Sequence, residues 1–260
     1  MAHSKLKIDK RRKEILDILR RDGRVYVTQL SRELGVTAVT VRCDLDALEH
    51  DGYLVRMQGG AVYSNRNYKD APTATQKVAN VRKKEAIARK ISEIINDGDT
   101  IFINSGTTTQ LIAAELRGLR NLNIVTNSIS VALTLGEIAS FRVMLLGGEI
   151  NSEYAFTYGA DAEEKLSRYH ADWAILSVDG VSSVSGITTY HAEEAVIDRI
   201  MISHSDNVLI AADESKIGRV GFLRVCDSSE TLTLVTNDCD KRTETDAILN
   251  KGMRVISVSD

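Results

Sequence analysis

The chain is poor in the residues that mark several architectures. It has 260 residues and a single proline, Pro72, which excludes collagen-like and proline-rich disordered chains. Its three cysteines, Cys43, Cys226 and Cys239, are odd in number, far apart and without a CxxC pair. Neither a disulfide framework nor a cysteine-rich zinc site fits that pattern. No apolar run approaches the roughly 18 residues of a membrane span, so no membrane partner is expected. Residues 1–13 are polar and basic with no apolar segment. A secretory signal is therefore not expected, and a reducing cytoplasm is the expected compartment. What remains, 43% apolar and 27% charged, is the balance of a soluble globular protein.

The net charge of −3 does not by itself point to nucleic acid, but its distribution is uneven. Residues 1–62 carry 12 Lys/Arg against 9 Asp/Glu, and the remainder carries 21 against 27. A short basic end on an acidic body suits an end that meets phosphate.

Two hydrophobic periods meet near residue 62. Before it, helical spacing dominates. Ile15, Leu16 and Leu19 lie on an amphipathic segment, residues 8–21, that stops at Asp22-Gly23. Val25-Tyr26-Val27 is a short strand candidate. Thr28 is expected to cap a second helix and Thr37 a third running to His50. Residues 53–62 read as a small hairpin. Residues 63–80, which hold the proline, lack periodicity and read as a linker or a surface loop. From residue 81 to 260, apolar strand candidates alternate with amphipathic helices: 100–104, 123–127, 142–148, 172–178, 207–213, 232–237 and 253–258. Strands apolar on both faces that alternate with helices predict an α/β fold with a doubly wound, mostly parallel sheet.

On the third helix Val41, Leu45 and Leu48 share one face, leaving Val39, Cys43 and Asp46 opposite and Thr40 and Arg42 beside them. A helix that enters the major groove needs small and polar residues with a cation at its start. Thr28, Thr37, Ala38, Val39, Thr40, Arg42 and Cys43 are thus the candidate DNA-reading residues. Arg56, Gln58 and Gly59 of the hairpin are candidates for a neighbouring phosphate, and Lys10, Arg11, Arg12 and Lys13 supply further charge. The competing reading is a winged helix used for protein contact. Residues 11–61 resemble the N-terminal domain of the DeoR family of bacterial transcriptional regulators. Leu34, Val36, Thr37, Thr40, Val41, Arg42, Asp44, Leu45, Leu48, Glu49, Gly52, Leu54, Arg56 and Gly59-Gly60-Ala61 match its pattern. Cys43 stands where the pattern has a second Arg, and Gln58 where it has His. Loss of one outward cation should remove about one phosphate or base contact. A redox role for Cys43 is a further possibility, but Arg42 and Asp44 push its thiolate in opposite directions.

In the second part, Ser105-Gly106-Thr107-Thr108-Thr109 follows a strand and opens a helix. Hydroxyls and free N–H groups at a helix start form an anion cradle, or simply a capped turn. Asn127, Gly147, Asp179-Gly180 and Asp213 to Lys216 also follow strands, where a parallel sheet places its ligand crevice. Lys216 would serve a phosphate and Asp179 a sugar hydroxyl. His191 and Glu194 at a later helix start form a hydroxyl-recognition cluster, or Glu194 with Glu193 merely favours the helix dipole. The order Asp97–Thr108, Val125–Asn127, Leu146–Gly148, Asp179–Val181, Gly186–Thr189 and Asp213–Gly218 resembles the effector domain of the same family. The resemblance implies a fold like ribose-5-phosphate isomerase and glucosamine-6-phosphate deaminase, a phosphorylated sugar or polyol as effector, double-stranded operator DNA as partner, and a homodimer or homotetramer. The alternative is a sugar-phosphate isomerase or deaminase fused to a winged helix. In the deaminase relatives acids follow the strand equivalent to 123–127 and a His follows the Asp-Gly. Here Asn127, Ser128 and Val181 stand there, so no catalytic residue, metal or cofactor is expected.

Overall fold

A computed structural model describes residues 10–19, 24–50, 54–57, 59–63, 80–152, 154–238 and 242–259. The chain forms two compact units, Met1–Lys77 and Val78–Asp260. Gln58, Cys239 and all but the ends of the expected 63–80 linker lie outside the described residues.

In the first unit residues 10–19 form helix α1. Strand β1 (Arg24–Tyr26), helices α2 (Val27–Glu33) and α3 (Ala38–His50), and strands β2 (Leu54–Met57) and β3 (Gly60–Tyr63) follow. The antiparallel order β1-β3-β2 joins the early strand to the hairpin. Ile15, Leu16, Leu19, Leu30, Val41, Leu45, Leu48 and Leu54 are buried together as the core of this winged helix-turn-helix. β1 approaches Gly60 so closely that a Cβ there would lie 2.0 Å from the Val25 carbonyl oxygen. The expected cap at Thr28 is corrected. α2 begins at Val27, with Tyr26 in the N-cap position and no side-chain cap bond. Val27 is buried, and its packing rather than a hydroxyl starts the helix. The cap at Thr37 is present: its Oγ1 accepts from the Thr40 N–H at 3.2 Å.

The second unit contains helix α4 (Val81–Ser92), β4 (Thr100–Ile103), α5 (Thr107–Glu115), β5 (Asn123–Thr126), α6 (Ile129–Gly136) and β6 (Arg142–Leu145). It continues through β7 (Glu149–Asn151), β8 (Phe156–Tyr158), α7 (Ala160–Leu166), β9 (Ala171–Ser177), β10 (Gly180–Ser182), β11 (Gly186–Thr189) and α8 (Ala192–Ser203). Strands β12 (Ser205–Ala211), β13 (Leu223–Cys226) and β14 (Leu232–Asn237), helix α9 (Arg242–Leu249) and strand β15 (Arg254–Val258) complete it. All seven expected strands lie in one sheet of order β15-β14-β12-β9-β4-β5-β6, and every neighbouring pair in it is parallel. Ile87, Ile91, Ile112, Ala113, Val131 and Leu135, from α4, α5 and α6, pack on one face. Ala162, Leu166, Ala195, Ile197, Met201 and Ile248, from α7, α8 and α9, pack on the other. Two small antiparallel sheets, β7-β8 and β10-β11-β13, were not expected from the sequence. Their strands of three or four residues are too short for periodicity to reveal.

Candidate functional site

In the first unit, α3 presents what the sequence pattern promises. Val41, Leu45 and Leu48 are fully buried, and Val39 is 65% exposed. Thr37, Arg42, Cys43 and Asp46 are exposed, and Ala38 and Thr40 are half-buried. Thr37 and Thr40 share a hydroxyl–hydroxyl hydrogen bond of 2.9 Å. Thr28 is exposed one element earlier. Gly59, exposed, turns the wing with φ +78°.

The remaining cations differ from expectation. Asp44 is 2% exposed, and it accepts from Arg11 Nε and from Arg12 Nε at 3.1 Å. Arg11 and Arg12 are therefore internal anchors that tie α1 to α3, and not charges held out for phosphate. Arg56 is engaged in the same way, donating to Asp46 Oδ1 at 2.9 Å and to the Gly60 carbonyl at 2.6 Å. The Glu49 carboxylate accepts the Arg56 backbone N–H at 2.7 Å. Arg56 thereby fastens the wing to α3. The buried Asp44 carboxylate draws the two arginines to itself because a buried charge is costly without partners.

In the second unit, the order of the sheet makes β4, β9 and β12 neighbours. The loops at their carboxyl ends carry Ser105 to Thr107, Asp179 and Lys216 respectively. Gly106 sits where the first loop crosses β9, and a Cβ there would lie 2.7 Å from both Cβ and Oγ of Ser177. Asn104 laces β4 to β9: it donates to the Ser177 carbonyl at 3.0 Å and accepts the Ser177 N–H at 2.9 Å. It also donates to Asp198 Oδ1 at 2.9 Å.

Asp179 accepts at Oδ2 from the Thr189 hydroxyl (3.1 Å) and the Tyr190 N–H (3.0 Å). Its Oδ1 lies 3.7 Å from Lys216 Nζ. Glu194 accepts from the same Thr189 hydroxyl at 2.8 Å. The His191 ring lies 4.6 Å, centroid to centroid, from that of Tyr154. Burial, together with the Asp198 and Asp179 charges, raises the Glu194 carboxyl well above its ordinary range. Burial also pushes Asp198 up to about 7, against the hydrogen bond from Asn104. Asp198 is fully buried, and its Oδ2 has no hydrogen-bond partner among the described residues.

Other expected effector contacts are placed elsewhere. Ser105 donates its hydroxyl to the Tyr154 carbonyl at 3.2 Å, and Thr109 donates to the Gly106 carbonyl at 3.0 Å. Thr108 is buried, which leaves Thr107 as the exposed hydroxyl of the turn. Asn127 is fully buried and donates to the Thr157 carbonyl at 3.2 Å. The β7-β8 hairpin seals it: the Asn127 carbonyl accepts the Thr157 N–H at 2.8 Å. Gly147 is exposed but follows β6, four strands from β12. At about 4.8 Å per strand, Gly147 and Lys216 are too far apart to hold one phosphate. Gly180 is buried at the start of β10, its carbonyl accepting the Thr188 hydroxyl at 3.2 Å. The sequence reading missed Asp198, which belongs to no local motif, and Lys84, whose Nζ donates to the Thr107 hydroxyl at 2.9 Å. A carboxyl on the buried side of an amphipathic helix was the available signal for Asp198.

Among the described residues no group of three or more His, Cys, Asp or Glu side chains is placed to hold a metal ion. Among them, no helix is long and apolar enough to cross a membrane.

A winged helix-turn-helix followed by a doubly wound sheet with a cluster of polar and charged side chains at its carboxyl edge defines a two-unit DNA-binding regulator with a sensor domain. The model of the DeoR C-terminal sensor domain matches residues 79–238, and that of the DeoR-like helix-turn-helix domain matches residues 11–67. The chain belongs to the DeoR family of transcriptional regulators. It is 32% identical to the HTH-type transcriptional repressor GlcR of Bacillus subtilis, over 93% of each chain. It is also 32% identical to the glycerol-3-phosphate regulon repressor of Escherichia coli, over 82% of this chain and 84% of that one. Identity to the lactose phosphotransferase system repressor of Lactococcus lactis is 32%, over 88% and 91%. Among solved structures, ribose 5-phosphate isomerase A of Methanocaldococcus jannaschii is similar with a TM-score of 0.40 and 16% identity, over 53% of this chain and 55% of that one.

Proposed function

We propose that this protein represses a carbohydrate-use operon and that a phosphorylated sugar or polyol sets its affinity for operator DNA. One observation carries the effector half of the reading. Thr107, Asp179 and Lys216 follow three adjacent parallel strands, and the Lys216 ammonium stands 3.7 Å from Asp179. That edge offers a cation and a helix start to a phosphate, and carboxyl acceptors to hydroxyls. The names of the glycerol-3-phosphate and lactose phosphotransferase repressors support the same ligand class. Thr37 to Cys43 of α3 read the major groove, with Arg42 as the principal cation. Residues 63–80 act as the linker between units 1–62 and 81–260. A homodimer or homotetramer would present two such helices to symmetric half-sites. If the effector prefers the arrangement that binds DNA poorly, operator DNA must weaken effector binding by the same factor.

The double variant Thr107→Ala/Lys216→Ala is expected to bind operator DNA normally and to lose its response to sugar phosphates. Arg42→Ala is expected to bind operator weakly, with a salt dependence flatter by about one unit of slope. Undiminished DNA binding by Arg42→Ala would favour a protein-contact role for the winged helix. The close-set carboxyls Asp179, Glu194 and Asp198 favour the second reading, a sugar-phosphate isomerase or deaminase, because the raised carboxyls of Glu194 and Asp198 suit proton transfer. Turnover of a phosphosugar by the wild type would establish it. The site is read as binding without turnover because Asn127, Ser128 and Val181 occupy the positions of the deaminase acids and histidine.

A further inference from the structure

The first turn of α4 is the element that directly follows residues 64–79, the stretch along which the chain arrives from the N-terminal unit. Three side chains of this turn reach the proposed effector site, which this inference takes as read. Lys84 Nζ donates to the Thr107 hydroxyl at 2.9 Å, at the start of α5. Lys83 Nζ pairs with Glu214, and Asn80 Nδ2 donates to Asp213 Oδ1 at 3.5 Å. Both acids belong to the turn that carries Lys216. The Lys83 carbonyl is held in addition by Asn237 Nδ2 at 3.1 Å, from the end of β14. The turn is thus tied to the loop after β4 and to the loop after β12, the two loops that bring cationic and hydroxyl groups to the sheet edge. Asn80 joins it at φ +74°, a left-handed backbone that non-glycine residues adopt at a cost.

We propose that Lys84 is a further effector-binding residue, contacting the anionic group of the ligand, and that through it the first turn of α4 senses occupancy of the site. A phosphate at Thr107 offers Lys84 a full negative charge in place of a neutral hydroxyl. With phosphate both partners of the bond are charged, which makes it stronger than the ammonium's bond to a neutral hydroxyl. The ammonium therefore turns to the ligand, and α4 is held differently with ligand than without it. Lys83 and Asn80 tie the same turn to Asp213 and Glu214 of the turn that carries Lys216. The element so positioned is the one whose chain leads back to the DNA-reading helix.

The test uses the full-length protein with inorganic phosphate as the probe and chloride at matched ionic strength as the control. Binding is followed by calorimetry and amide hydrogen exchange by mass spectrometry. Lys84→Met is expected to weaken phosphate binding about tenfold, the worth of one charge-assisted hydrogen bond. Lys84→Arg, which keeps the charge, should restore it, and Arg89→Met, one turn further along the helix, should leave it unchanged. In the wild type, saturating phosphate should slow exchange at residues 80–84 as well as at 105–109. In Lys84→Met only the second response should remain. Equal unliganded melting temperatures, with the Lys84→Arg rescue, separate this from misfolding. Phosphate binding by Lys84→Met equal to wild type overturns the inference and leaves the effector site standing. So does an undiminished response at 80–84 in that variant. Absence of phosphate binding by the wild type overturns the site reading itself, and the inference with it.

Discussion

Replacing Asp198 with asparagine should reverse the sign of its effect on stability as pH rises. Asp198 is fully buried beneath the sheet edge, and burial lifts its carboxyl from 3.8 to about 7. The groups that act on it are Asn104 from the loop after β4, Asp179 from the loop after β9, and Arg199 on its own helix. It in turn raises Glu194, one helical turn before it. Between these two pH values the folded chain holds a proton that the unfolded chain has released. Stability therefore falls as pH rises through that window, and the loss is complete above the folded value. A difference of about 3 units corresponds to roughly 4 kcal/mol. Asparagine has no ionisation to suppress, and its Oδ1 can still accept from Asn104. Its amide nitrogen, however, falls where Asp198 Oδ2 has no partner among the described residues, at a cost of about 1–3 kcal/mol. The variant should therefore be less stable than wild type near pH 4 and more stable by about 1–3 kcal/mol above pH 7. Denaturant unfolding of both proteins at about pH 4, 6 and 8 measures this, because groups not coupled to Asp198 cancel in the difference, which leaves Asp198 and the Glu194 that it raises. A difference in stability that stays constant across that range would refute the placement of a proton on Asp198.

Asp44→Ala should destabilise the N-terminal unit by about 2–4 kcal/mol, since it leaves the Arg11 and Arg12 guanidiniums half-buried without their carboxylate. The magnitude is set below that of a fully buried pair because both arginines keep contact with water. Unfolding monitored in the first unit reads it, and an unchanged midpoint would contradict the anchoring role. Gly106→Ala should cost about 1–3 kcal/mol through overpacking against Ser177 and displace Thr107 from Lys84. Melting temperature and phosphate affinity should fall together, and a variant with native values for both would show that the turn has room to spare. Val39→Asp should leave folding intact, because Val39 is 65% exposed, while a carboxylate at the groove-facing start of α3 should weaken DNA binding at every sequence by phosphate repulsion. Gel shifts with operator and with unrelated duplex measure both effects, and retention of operator affinity would remove Val39 from the interface.

The sequence by itself determined the longer elements and their faces. The period of two or continuous apolar runs marked all seven strands of the main sheet, and the spacing of Val41, Leu45 and Leu48 marked the buried side of the DNA-reading helix. These are properties of neighbours along the chain, which dihedral geometry and solvent set locally. Which cations remain outward was decided by folding. Arg11 and Arg56 look like phosphate ligands until Asp44, 33 residues from Arg11, and Asp46 are brought against them. Which strand ends meet was likewise decided by the order of the sheet. That order sets the loops after β4, β9 and β12 side by side, separates Gly147 from Lys216, and leaves Asn127 beneath a hairpin too short to announce itself. Asp198 and Asn104 stand 94 residues apart in the chain and 2.9 Å apart in the fold. No local signal encodes such a pair, because long-range contacts follow from the topology that buries both sheet faces at once.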